Sequence, residues 1–276
     1  MSVSFGPGFH APSGRAVDAA AYERYVGRWS RLFVPVVLQA AQVKPGDRVL
    51  DVATGSGEAA ALALNAVGDS GLVVGADIAL AMLRPARTRL NMPAFQPVAA
   101  DGQALPFPDG SFDAVVCQLG LQFFPDPGRG LKEFRRVLRK GGWAAACVIS
   151  APERAPMWGV LADTLSRYLP HQRDELHLSF ALADPQILER IFVIAGFQDV
   201  RVEREVREGA TDSFADYWDP IEAGTGQLPQ AYLALPERSR RAVREEVQAR
   251  LTEFESQGQL MMSVEMLIAF GQVRSP

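Results

Sequence analysis

A chain of 276 residues, 48% hydrophobic and 22% charged, is long enough to bury the core of one large domain or of one domain with insertions. Its net charge of −4 gives no overall basic surface for a nucleic-acid partner, and no run approaches the ~18 apolar residues of a membrane span. Two cysteines, Cys117 and Cys147, make no disulfide framework and point to a reducing, cytoplasmic setting.

Residues 1–16, rich in glycine, proline and serine, are expected to form a flexible leader without the apolar core of a signal peptide. Residues 17–276 read as a single domain that opens with a helical lid over 17–45. There Tyr22, Tyr25, Val26, Trp29, Leu32, Phe33 and Val36 recur at three- and four-residue steps, with Glu23, Arg24, Arg28 and Arg31 among them. Pro35 marks a break or a new first turn, and Ser30 stands in a capping position.

From 46 to 150 strands alternate with helices. Strands are expected at 48–52, 71–76, 95–100, 112–118 and 143–149, and helices at 58–68, 79–90 and 127–139. Pro85 predicts a kink or early break in the second of these helices, and Gly141-Gly142 a stop for the third. Such alternation implies a Rossmann-like, doubly wound and mostly parallel α/β sheet. Beyond it, helical insertions over 151–196 and 209–258 are read as a substrate cap, with helices at 157–169, 185–195 and within 211–254. A sixth strand falls at 199–206, and a seventh at 261–270 closes the sheet, an antiparallel course for it being open. The stripe Val243, Val247, Leu251 and Phe254 reads as core packing.

The segment 48–57, Arg-Val-Leu-Asp-Val-Ala-Thr-Gly-Ser-Gly, runs from an apolar strand through Asp51 into a glycine turn and then a helix. Gly55, Gly57 and Ala60 satisfy G-x-G-x-x-A, and Asp77 follows Gly57 by 20 residues, where an acidic side chain grips ribose hydroxyls. A nicotinamide-dependent oxidoreductase therefore stays open as an alternative. Against it, Asp51 suits a cationic ligand better than a pyrophosphate, Asp101 adds a further acidic strand end, and an aromatic-rich helix precedes the first strand.

Four motifs follow one another in order: 51–57, Ala76-Asp77-Ile78, the 101–113 run Asp-Gly-Gln-Ala-Leu-Pro-Phe-Pro-Asp-Gly-Ser-Phe-Asp, and 133–142, Glu-Phe-Arg-Arg-Val-Leu-Arg-Lys-Gly-Gly. Together they resemble the class I S-adenosylmethionine-dependent methyltransferases, nearest the quinone-methyltransferase (UbiE/MenG-like) branch. Residues 22–31 also resemble leaders of that group. The resemblance implies S-adenosyl-L-methionine as cofactor, no metal, and a small-molecule methyl acceptor. It implies that Ala53, Thr54, Gly55, Ser56 and Gly57 pass under the methionine part and that Asp51 faces its ammonium. Asp77 would accept from the ribose, Ile78 and Met82 would flank the adenine, and Asp101 and Gly102 would bond its edge. Gln118 would sit beside the methionine. Ile78 and Met82 stand equally as core residues.

Methyl transfer needs the nucleophile, the methyl carbon and the leaving sulfur held in line, with water excluded. The lid offers Tyr22, Tyr25 and Trp29 to a sulfonium and Arg28 or Arg31 to a carboxylate, although Tyr25 and Trp29 serve equally as packing. No general base is evident: His10 falls in the leader, and His171 and His177, in the first insertion, are weak candidates that also read as exposed loop residues. After the fourth strand the chain reads Gln118-Leu-Gly-Leu-Gln-Phe-Phe-Pro-Asp126, where the quinone branch has a Phe-Gly-Leu-Arg-Asn-type segment. An apolar or aromatic acceptor is expected, because Trp158, Tyr168, Phe180, Tyr217 and Trp218 stand in the insertions. A non-catalytic cofactor-binding relative is the remaining alternative, and the oligomeric state is open, a homodimer included.

Overall fold

The computed structural model describes residues 19–224 and 226–274; the expected leader and His10 lie outside them. Five parallel strands form the base of the sheet: β1 (Arg48–Val52), β2 (Leu72–Asp77), β3 (Phe95–Ala99), β4 (Phe112–Gln118) and β5 (Leu138–Ile149). β6 (Gln198–Thr211), β7 (Glu255–Ser256) and β8 (Gln259–Gln272) complete it in the order β3-β2-β1-β4-β5-β8-β6, with β7 folded back on β8. The described sheet thus has eight strands where seven were expected, and β8 is antiparallel to β5, β6 and β7. The architecture is the Rossmann-like α/β one that the strand–helix alternation implied. Strand order reverses between β1 and β4, so their carboxyl ends open a crevice of the kind that receives ligands in such sheets.

β1, β2 and β4 are nearly continuous apolar runs because both faces of the sheet are covered. Alternating side chains serve opposite layers: Val49 and Val116 join one core cluster, Leu50 and Val115 the other. On the first side lie the helical segments of the lid, α1 (Ala19–Tyr22), a π-helical turn (Glu23–Gly27), α2 (Arg28–Ser30) and α3 (Val34–Ala40), together with α4 (Glu58–Val67). α5 (Leu80–Arg89) follows β2, and α6 (Pro127–Val137) follows β4. The first insertion supplies α7 (Pro156–Tyr168), α8 (Arg173–Leu176) and α9 (Pro185–Ile194), the last capped by Asp184. The second supplies α10 (Phe214–Glu222), α11 (Gln227–Leu233) and α12 (Glu237–Leu251).

Several boundaries differ from expectation for local reasons. α5 continues four residues past Pro85 to Arg89, so the proline does not end it. α6 stops at Val137 because Leu138 already pairs with Phe112; Gly141-Gly142 lies inside β5, where the Gly141 N–H donates to the Val273 carbonyl at 2.6 Å. Ser30 caps nothing: its carbonyl accepts from Phe33 N at 3.0 Å and from Gln118 Nε2 at 3.1 Å. Pro35 does open a new helix, α3. β6 runs to Thr211, five residues beyond the expected strand, since each added rung pairs with β8 as far as Leu260. The stripe on α12 is core: Val243, Val247 and Leu251 are fully buried, Phe254 only in part.

Candidate functional site

The crevice takes its shape from the turn after β1. Ala53, Gly55 and Gly57 all have positive φ (59°, 56° and 86°), which lets the chain reverse within five residues and start α4 at Glu58. A Cβ on Gly57 would stand 2.8 Å from Leu90 Cδ1, so packing as well as backbone conformation requires glycine there. The Thr54 N–H donates to the Ala76 carbonyl at 3.1 Å, fastening the turn to β2.

Asp51, at 0% exposure, is the least accessible carboxylate of the site. Its Oδ2 accepts from the Thr54 hydroxyl at 2.7 Å, while Oδ1 is buried with no hydrogen-bond partner among the described residues, the Ala60 N–H being the nearby backbone donor that opposes the rise in its pKa. Burial pushes its pKa up to about 7, the Thr54 bond opposing the shift and the nearby Asp77 adding to it. A buried carboxylate with an unused oxygen, lining a cleft, is complementary to a small cation with N–H donors, as an α-ammonium is. Asp77, at the end of β2, accepts from Gly55 N and Ala79 N, both at 2.8 Å, and burial raises its pKa as well. Each of its oxygens keeps a further lone pair. Gln118 gives its amide nitrogen to Ser30 and leaves Oε1 buried beside the same cleft, with no hydrogen-bond partner among the described residues.

The structure divides the expected lid contacts. Tyr22 lines the cleft, together with Val26, Gly27 and Ser30. Its hydroxyl comes within 3.9 Å of the point where a Cβ on Gly55 would stand. Trp29 instead packs against β6, where a Cβ on Gly209 would fall 2.4 Å from its ring. Tyr25 is core, with a buried hydroxyl that has no hydrogen-bond partner among the described residues. Arg28 is committed to Asp216 on α10 by two bonds, 2.6 and 3.1 Å, which hold the Asp216 carboxyl below its usual range. Arg31 is the arginine that faces the glycine corner: it donates to Glu23 at 3.0 Å and lies 3.6 Å from Glu58.

Other expected contacts sit elsewhere. Met82 is buried, its Cε 3.7 Å from the Cβ position of Gly55, whereas Ile78 is 67% exposed. Asp101 is exposed and accepts from Gln103 N at 2.8 Å in a local turn, and it does not line the cleft. Gly102 admits the Phe124 ring, which a Cβ would meet at 2.3 Å. Neither candidate base lines the cleft: His171 contacts Gln172 at 3.3 Å, and His177 contacts Ser166 at 3.2 Å and Asp163 at 3.5 Å. In the first insertion His171 is exposed and His177 is half-buried against α7.

Sequence reasoning missed Glu58 and Arg89, which pair closely at the mouth of the cleft, and the role of Glu23, which accepts from the Ser56 hydroxyl. Glu58 opens α4, where an acidic residue suits the helix dipole, and that was the only signal of its place. It missed Leu119 too, which lines the cleft with φ +54°. Gln122 is fully buried, and neither of its amide atoms has a partner among the described residues; nothing in its spacing marks it out. Among the described residues no helix is long and apolar enough to cross a membrane.

Residues 50–146 match the family model described as a methyltransferase domain. The ubiquinone/menaquinone biosynthesis C-methyltransferase UbiE of Xanthomonas oryzae pv. oryzae is 46% identical over 120 residues, 42% of this chain and 46% of that protein, so the match spans about half the relative's length. The demethylmenaquinone methyltransferase of Corynebacterium kroppenstedtii is 36% identical over 169 residues, 57% of this chain and 70% of its own. Among solved structures, phosphoethanolamine N-methyltransferase 2 of Haemonchus contortus, in complex with S-adenosyl-L-methionine, shares the fold at a TM-score of 0.58 and 16% identity, over 92% of this chain and 56% of that one. The chain belongs to the class I S-adenosylmethionine-dependent methyltransferases, on their UbiE-like branch, and S-adenosyl-L-methionine is its cofactor.

Proposed function

We propose that this protein transfers a methyl group from S-adenosyl-L-methionine to a small apolar or aromatic acceptor by in-line displacement. The observation that carries this reading is the buried Asp51 carboxylate, with one oxygen unpartnered, on the wall of a cleft closed by the glycine turn and the lid. In this reading Asp51 holds the cofactor's ammonium, and the 53–57 turn passes under its methionine part. Asp77 takes the ribose hydroxyls, Met82 backs the turn, and Gln118 Oε1 accepts a remaining donor. Asp101 and Gly102, with exposed Ile78, are assigned to the adenine edge. When bound, the cofactor supplies an electrophilic methyl on a sulfonium sulfur.

The protein's own part is to position and to exclude water. Tyr22, Val26 and Ser30 roof the cleft and Leu119 walls it, so a bound acceptor meets apolar surface and fixed dipoles rather than solvent. With neither histidine at the cleft, we assign no general base, which fits an acceptor whose nucleophile is already acidic. The names of the relatives make demethylated quinones the first acceptors to try, and smaller phenols belong beside them because residues 118–126 depart from the segment of that branch. We further propose residues 17–45 as lid, 46–150 as cofactor core, 151–196 and 209–258 as substrate cap, and the cytoplasm as setting, since both thiols are free and buried.

Calorimetry with S-adenosylhomocysteine tests this directly: binding in the micromolar range is expected, and Asp77→Ala should remove it. Methyl transfer is then read with labelled cofactor across the acceptor panel. Protection from thermal unfolding by NAD(P) but not by S-adenosylhomocysteine would sink the assignment.

A further inference from the structure

Resting on that reading, the geometry points to a built-in competitor for the cofactor: the Glu23 side chain, delivered by the lid, occupies the carboxylate site of the glycine corner and must be displaced by the cofactor's methionine carboxylate.

The donors around Glu23 define the site. One carboxylate oxygen accepts from the hydroxyl of Ser56, in the glycine turn itself. The other accepts from Arg31 at 3.0 Å, and Arg89, from α5, lies 3.8 Å from the oxygen that Ser56 holds. A hydroxyl and two guanidinium groups converging beside a glycine turn are what an α-carboxylate takes. Glu58 shares both arginines, bonding to Arg89 and lying 3.6 Å from Arg31, and burial together with this neighbouring carboxyl raises the Glu23 pKa. Glu23 reaches this point because of a second feature, Gly27. Its φ of −59° makes no demand for glycine, yet a Cβ there would stand 2.4 Å from Glu23 Oε2 and 2.9 Å from Cδ. The missing Cβ therefore makes room for the folded-back carboxylate, and the π-helical turn from Glu23 to Gly27 brings the two residues over one another. Tyr22 and Val26 of the same segment line the cleft with Asp51, so the segment that carries the Glu23 carboxylate also roofs the site.

A state that cannot bind lowers the apparent affinity by the fraction of molecules still competent. Glu23→Gln keeps the shape and removes the charge that Arg31 and Arg89 hold. Gly27→Ala displaces the carboxylate, the far end of a flexible side chain, without a backbone clash. Both variants should bind S-adenosylhomocysteine about fivefold or more tightly, with faster association by stopped flow. The gain should be absent for 5′-methylthioadenosine, which has no amino-acid tail. In ligand-free protein, amides of 22–31 should exchange faster with deuterium than in the wild type. Weaker binding in Glu23→Gln would make Glu23 a cofactor ligand, and unchanged affinity with unchanged exchange would remove the latch; either result overturns the inference. An equal gain for 5′-methylthioadenosine also overturns it, since that is a looser lid without carboxylate exchange. Failure of wild type and variants alike to bind S-adenosylhomocysteine overturns the reading of the cleft itself, and the competitor with it.

Discussion

Below the cleft, Asp51, Thr54 and Gly57 are held by backbone conformation and packing; above it, Glu23, Arg28 and Arg31 are held by charged side chains. The two halves respond to different perturbations. Positive φ angles and glycines that a Cβ would jam give the floor one geometry, set when the sheet forms. The roof is anchored by buried Tyr25 and Trp29, and its outer side is tied by ion pairs at partly exposed positions, Arg28 with Asp216 and Arg31 with Glu23, each of which opens at modest cost. A rigid floor can present a fixed cation site, while a roof of this kind can admit and release a ligand of cofactor size. Mutations and pH should separate them.

The largest effect is expected at Asp51. Its pKa lies near 4 in the unfolded chain and is pushed up to about 7 by burial on folding. Between those values the folded protein holds a proton that the unfolded chain has lost, so this group's contribution to stability falls as pH rises from 4 to 7 and is level above 7. At about 1.4 kcal/mol per unit, the change is on the order of 4 kcal/mol. Denaturant titrations of wild type and Asp51→Asn across pH 4–8 should differ by a slope of this sign and order, which includes the coupling of Asp51 to Asp77. Affinity for S-adenosylhomocysteine should move the opposite way, rising about tenfold per unit up to pH 7 and then levelling, because the ammonium selects the ionised carboxylate. A flat profile in both measurements would leave Asp51 as structural only.

Gly57→Ala comes next. The substitution meets αL strain and the overlap with Leu90 together, for about 2–4 kcal/mol of stability. Because the strain lies in the floor, cofactor binding should be lost in the fraction that still folds, which calorimetry of the purified variant will read. Gln122→Met should act with the opposite sign. It removes two buried unpartnered amide atoms at nearly constant volume and should raise stability by about 1–2 kcal/mol, seen as a higher Tm. Lower stability in that variant would mean that the amide is satisfied by a partner such as buried water.

The difference between floor and roof also governs what could be read from residues alone. Asp51, the glycine turn, Asp77 and the strands β1 to β4 rest on local signals, such as apolar runs, glycines and strand-end acids, and these stand where they were expected. β5 is longer than expected because its first rung, Leu138 with Phe112, is a tertiary pairing that overrides the glycine stop at 141–142. β6 extends past the expected 206 because its last rungs are tertiary pairings with β8, and an edge strand facing solvent carries charged residues such as Arg207 and Glu208 that give no apolar run. The lid was recognised as helical, but its contacts were not assignable. Which of two arginines meets the glycine corner depends on where Asp216 stands, 188 residues from Arg28 along the chain. The Glu23–Ser56 and Glu58–Arg89 contacts likewise join residues 33 and 31 positions apart and leave no periodic trace.

The smallest expected effect bears on the roof alone. Arg28 joins the lid to α10 through two bonds to Asp216 and one of 3.4 Å to the Ala210 carbonyl. Both side chains keep contact with water, so Arg28→Ala should cost only about 1 kcal/mol in global unfolding. A double-mutant cycle with Asp216→Asn should return a coupling of about 0.5–1 kcal/mol. The same change should be far more visible locally, as faster deuterium exchange over 19–31 with no change in β1 or β4, because the lid can open without breaking a rung of the sheet. If the β1 amides lost protection in parallel with the lid, roof and floor would form one cooperative unit, and the division drawn between them would fall.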